Sequence, residues 1–132
     1  MQSLPLRLRP GEDLRESLER VLTERGCEGA FVIAGTGSLA STRLRFAGAP
    51  DASAIDGAVE ILTLSGSLSP AGSHLHMSVA GADGRVLGGH VAHGCIVRTT
   101  AEVLVILLPD WSMTRVPDPA TGYPELVVRP KR

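Results

Sequence analysis

Three of the chain's four histidines fall in HLHMSVAGADGRVLGGH, residues 74–90. His74 and His76 sit two apart, and His90 follows a Gly-rich turn. Neutral imidazole is a common ligand for zinc and related transition ions, at about 2.0–2.1 Å per nitrogen. Three imidazoles meeting at one point, with no fourth protein ligand, would leave one coordination position open, as catalytic zinc sites do. The first question is whether the rings can meet.

Residues i and i+2 of a strand share a face. HLHMSV as a strand puts His74, His76 and Ser78 on one side and Leu75, Met77 and Val79 on the core side. Whether His90 joins them depends on the turn. A two-residue Asp83–Gly84 turn sets His90 opposite Met77, on the wrong face. A three-residue loop, Ala82–Asp83–Gly84, sets His90 directly opposite His76, and all three rings converge. Asp-Gly suits both turns, but Gly84 stands where a three-residue loop needs a left-handed residue. The convergent register is the favoured one. His93 is off by one in parity and is expected outside the triad. Gly88 and Gly89 leave room beside His90 for a ligand or another backbone.

Other chemistry-bearing residues are weaker. Glu102 is the one candidate for a general acid/base or a fourth ligand, against the simpler reading of a solvent-facing carboxylate. AGTGS (34–38) is Gly-rich but matches neither phosphate-binding fingerprint. The serines of SGS (65–67) and SPAGS (69–73) are explained by turn chemistry. Arg43 and Arg45 form either an anion-binding stripe or a solvated strand face.

The elements that must position these residues are short. LPLRLRP alternates as a strand with Leu4, Leu6 and Leu8 on one face. A helix is expected from Asp13 to Arg25, burying Leu14, Leu18, Val21 and Leu22 and closing at Gly26. AFVIAG (30–35) reads as a buried strand broken by TGS (36–38), and STRLRF (41–46) as a further strand. Residues 47–57 read as a loop and 59–68 as a strand. CIVRTT (95–100) and EVLVILL (102–108) are strands before Pro109. The Pro-rich remainder reads as an ordered loop with a final strand near Glu125–Val128. One helix among many strands predicts an α+β domain with a mostly antiparallel sheet, a single domain over 1–132.

Composition narrows function. Thirteen basic residues against fourteen acidic leave a net charge of −1, unlike the basic footprint of an autonomous DNA-binding domain. Aromatics at 3% give few stacking surfaces for single-stranded nucleic acid. Cys27 and Cys95 are too sparse for a disulfide scaffold and read as buried thiols. Neither a signal peptide nor a membrane-spanning stretch is evident, so the expected location is cytoplasmic.

The path LRLRPGEDL, AFVIAGTGSL, VEILTLSGSL, HLHMSVAGADGRVLGGH and VRTTAEVLV resembles the plants-and-prokaryotes conserved (PPC) domain from about Leu4 to Val128. The resemblance implies an α+β homotrimer and a metal site, with zinc the expected ion, at His74, His76 and His90. It also implies an architecture like that of acetolactate decarboxylase, in which a histidine triad holds zinc. A metalloenzyme acting on a small oxygen-rich substrate is the corresponding function. Plant members bind AT-rich DNA through AT-hook segments outside this domain, so a DNA-associated module is the alternative. This chain contains no Arg-Gly-Arg-Pro segment, and its closing RPKR is short for a minor-groove arm.

Overall fold

The computed structural model describes residues 1–132. Its elements run β1 (Gln2–Leu8), α1 (Leu14–Arg25), β2 (Ala30–Arg45), β3 (Ser53–Ile55), β4 (Val59–Ser69) and β5 (Gly72–Ala80). Then follow β6 (Val86–Val91), β7 (Ile96–Leu107), β8 (Trp111–Asp118) and β9 (Tyr123–Pro130). All strand pairs are antiparallel, which gives the α+β class expected. The main sheet has the order β1-β7-β2-β4-β5-β6, with β3 beside β2. The end of β2 also pairs with β6, so β2, β4, β5 and β6 close on themselves.

Helix α1 forms as the sequence predicts. The Asp13 side chain accepts the Glu16 N–H at 3.0 Å, and Gly26 closes the last turn in a left-handed conformation. Leu14, Leu18, Val21 and Leu22 are buried with Val32, Leu64, Leu75, Met77, Val79 and Val105 in one apolar core. Each such aliphatic side chain contributes about 1.5–3 kcal/mol relative to an exposed one. That core fixes the inward face of β5, and therefore the outward face as well.

Five local expectations need correction. TGS does not break a strand: residues 30–45 are one bent strand, with register shifts against β7 absorbing the bend. Gly37 lies so close to the Thr100–Ala101 backbone that no Cβ fits, so the glycine serves packing and not a turn. AFVIAG is buried on one side only, since Phe31 and Ile33 are exposed. Residues 95–108 likewise hold one strand, β7, and the 47–57 segment contains β3. The tail is a two-stranded sheet, β8–β9, with Pro117 opposite Pro124. Prolines are tolerated there because a two-stranded ribbon leaves half its N–H groups without a ladder partner.

Candidate metal centre

The β5–β6 hairpin turns on three residues, Ala82–Asp83–Gly84. Gly84 has a φ of 79°, and its N–H donates to the Gly81 carbonyl at 3.0 Å. The Gly81 N–H donates to the Arg85 carbonyl at 3.3 Å, and the Asp83 carboxylate accepts the Arg85 N–H at 2.9 Å. This loop sets His76 directly opposite His90. Leu75, Met77 and Val79 are buried below, so His74 and His76 project outward.

The three rings gather. Centroids lie 4.9 Å apart for His74–His76, 4.6 Å for His76–His90 and 5.5 Å for His74–His90. One nitrogen from each ring falls within 4.8 Å of the others. Tetrahedral zinc would need those nitrogens about 3.3–3.4 Å apart, given the usual bond length. Small rotations of outward-facing rings close that gap, so the donor set fits a divalent transition ion with a position left open.

Electrostatics favour the neutral form of His74 and His90. Partial burial, then the neighbouring His76 and Arg115, hold the His74 pKa below the usual 6.5, with Glu125 opposing. Partial burial, then Arg45, His76 and His74, hold His90 below it as well. A neutral imidazole is the form that binds a metal.

The strands flanking the hairpin extend the site. Ser67 lies opposite His74 and Ser65 opposite His76 on β4, while Arg45 of β2 lies opposite His90. Gly89 explains how β2 approaches: a Cβ there would stand 2.8 Å from the Arg45 carbonyl oxygen. The room beside His90 thus serves backbone, one of the two uses expected.

Over this face lies β8–β9, which brings Arg115, Glu125 and Leu126 to a cleft of about 380 Å³ shared with His74, His76 and Ser67. The Arg115 guanidinium donates to Ser67 Oγ at 3.1 Å. Met113 is fully buried against Gly29, where any Cβ would collide with its side chain. Lys131 Nζ pairs with Glu28 Oε2 at 2.7 Å. Arg115 was hidden to sequence reading because the prolines marked its segment as a loop, and Glu125, at the start of the final expected strand, had no partner strand to place it. The alternation in WSMTRV was the signal that could have found the partner strand.

The other candidates are placed elsewhere. Glu102 lies opposite Arg7 and Thr36 and lines a separate groove of about 540 Å³. Two strands, β2 and β4, stand between β7 and β5, a separation of about 14 Å at normal strand spacing. His93 is exposed near the start of α1, 3.6 Å from Glu19 and 3.9 Å from Asp13. AGTGS lies within β2 and forms no loop. Cys27 and Cys95 are free and buried, and burial pushes the Cys95 thiol pKa up. No helix is long and apolar enough to cross a membrane.

The model of the Plants and Prokaryotes Conserved (PCC) domain matches residues 1–109. The chain belongs to that family. The PCC match contains the whole histidine hairpin and ends just before β8. Among solved structures, a protein from Salmonella cholerae-suis is similar with a TM-score of 0.95 and 34% identity, over 99% of this chain and 95% of that one. The metal-containing protein AF0104 from Archaeoglobus fulgidus is similar with a TM-score of 0.79 and 27% identity, over 96% and 94%. The bifunctional protein GlmU of a Synechococcus species is 45% identical over 126 residues. That stretch is 96% of this chain and 20% of that protein, so the chain spans one fifth of that relative. AT-hook motif nuclear-localized protein 25 of Arabidopsis thaliana is 31% identical over 80% of this chain and 37% of its own length.

Proposed function

We propose that this PCC domain is a metal-binding module in which His74, His76 and His90 hold a divalent transition ion, zinc being the expected one. The observation that carries this reading is the convergence of three imidazole nitrogens within 4.8 Å on the outward face of a core-locked hairpin. The metal-containing relative from Archaeoglobus fulgidus supports it. When bound, such an ion supplies a Lewis acid for a carbonyl or carboxylate oxygen. The chain's own residues then do the rest. The β5–β6 ladder orients the rings, Ser65 and Ser67 line the floor, and β8–β9 covers one side of the cleft. A metalloenzyme acting on a small oxygen-rich substrate is the activity this points to.

The same reading includes a cytoplasmic, single-domain protein that assembles as a homotrimer. Exposed Phe31, Ile33, Leu62 and Leu104 supply apolar surface for self-association. Light scattering on the purified protein tests the trimer.

Metal analysis of protein purified without a His-tag tests the site. About one equivalent of a transition metal per chain, lost in His74→Ala, is the expected result. Less than a few tenths of an equivalent, unchanged by that substitution, overturns the reading.

A DNA-associated role is the second reading, favoured by the likeness to the Arabidopsis AT-hook protein. A net charge of −1 predicts weak, salt-sensitive binding. Retention on an AT-rich duplex at physiological salt would support it over the first.

A further inference from the structure

We propose that the ligand taken at the histidine face is a small carboxylate, and that Arg115 of the β8–β9 hairpin selects it; this rests on the metal reading above. Two guanidiniums stand beside the triad, Arg115 by His74 and Arg45 by His90. Glu125 is the one carboxylate lining the cleft. Adding a divalent ion makes the site strongly positive in a partly desolvated cleft, where charge is felt more than in water. A neutral ligand leaves that excess in place, and an anion removes it.

Geometry places the charge usefully. Arg115 is half-buried, and one N–H is committed to Ser67 Oγ at 3.1 Å. Ser67 is itself buried and lies opposite His74 in the β4–β5 ladder. The guanidinium is thus pinned beside the ring that would hold the metal. Arg115 forms no ion pair with Glu125, although both line the cleft. Its remaining N–H groups form a planar fork that suits a two-oxygen acceptor.

Size limits the ligand. A cleft of about 380 Å³ holds about a dozen waters at ~30 Å³ each, room for a compact organic acid. Glu125 disfavours a more highly charged anion such as phosphate. One carboxylate oxygen would meet the metal's open position, and the charge would rest on Arg115. The selecting residue then lies beyond the segment that defines the family, while the metal ligands lie inside it.

Cobalt-loaded protein offers a direct test, with visible absorption reporting ligands at the metal. Acetate is the probe, acetamide its neutral isostere and inorganic phosphate the competing anion. Acetate should perturb the spectrum at concentrations at least tenfold below acetamide and below phosphate. Arg115→Met should raise the acetate dissociation constant about tenfold or more, the loss of one charge-assisted hydrogen-bonded contact. Arg115→Lys should recover part of it. Cobalt affinity should stay within threefold throughout, and hydrogen exchange over residues 111–130 should show the hairpin still docked. Equal binding of acetate and acetamide, or preference for phosphate, overturns the carboxylate assignment. Acetate affinity unchanged in Arg115→Met with the hairpin docked overturns the role of Arg115. Failure to take up cobalt overturns the metal reading, and this inference with it.

Discussion

The β5–β6 and β8–β9 hairpins meet at one cleft but are held there by different forces. β5–β6 is woven into the closed part of the sheet, with β4 on one side and the end of β2 on the other. Backbone hydrogen bonds and buried Leu75, Met77 and Val79 set its register. β8–β9 has no ladder partner outside itself and is tied down mainly by side chains, Met113 against Gly29, Arg115 on Ser67 and Lys131 on Glu28, with a backbone bond from the Met113 N–H to the Glu28 carbonyl at 3.3 Å. A ladder positions atoms to fractions of an ångström, as a metal site demands. A side-chain-anchored ribbon can be changed at its charged positions without disturbing the ladder. One half carries the histidines and is fixed by the sheet, and the other carries Arg115 and Glu125 and is anchored outside it.

The largest effect should come from breaking parity in β5–β6. Deleting Asp83 shortens the loop to two residues and turns His90 toward the core face. His76→Ala removes the ring that neighbours both others. Each should weaken zinc binding more than the roughly 10–100-fold typical of an outer-shell loss, measured by competition with a chromophoric chelator. Zinc affinity within threefold of the parent in His76→Ala would remove the triad as the site.

The β8–β9 half should break differently. Met113→Ala opens a cavity at a fully buried position, at a cost of about 2–5 kcal/mol, felt mostly in hairpin docking. Hydrogen exchange should accelerate across residues 111–130 while zinc affinity holds. Zinc affinity falling in step with docking would dissolve the distinction between the halves.

Acidity acts on the β5–β6 half. His74 and His90 have folded pKa values below the unfolded 6.5, so the folded chain binds fewer protons than the unfolded one. Their contribution to stability is complete above pH 6.5 and is lost as pH falls through the lowered folded values. At His74 and His90 protons compete with metal in that lower range, so these two ligands should hold zinc as pH drops past 6.5. Zinc titrations between pH 7.5 and 5 check this, and release centred above 6.5 would contradict it.

The smallest effect belongs to Lys131→Ala. Its pair with Glu28 is partly exposed, so its loss should cost about 0.2–1 kcal/mol in denaturant unfolding. A larger cost would show that β8–β9 depends on its far end as well as on Met113.

Much of the histidine-bearing half was legible from residues alone. Alternation in HLHMSV fixed which side of β5 faces the core, and Gly84 favoured the odd-length loop. The helical stripe Leu14, Leu18, Val21 and Leu22 and the stop at Gly26 were equally local signals. Errors arose where glycine or proline had two uses. Gly37 signalled a break but serves close packing against β7, and Pro117 and Pro124 signalled a loop but sit on a free ribbon edge.

Local periodicity determined the helix and the inward face of β5, and turn chemistry favoured the register in which His74, His76 and His90 converge. Tertiary structure alone decided that Arg45 reaches His90 through the β2–β6 pairing, that Arg115 lies on Ser67, and that Glu102 stands in another groove. Those contacts join segments about 45 or more residues apart, with Arg115 and Ser67 separated by 48. A repeat of two or 3.6 residues reports which way a side chain points from its own element. It carries no information about which distant element will lie across from it.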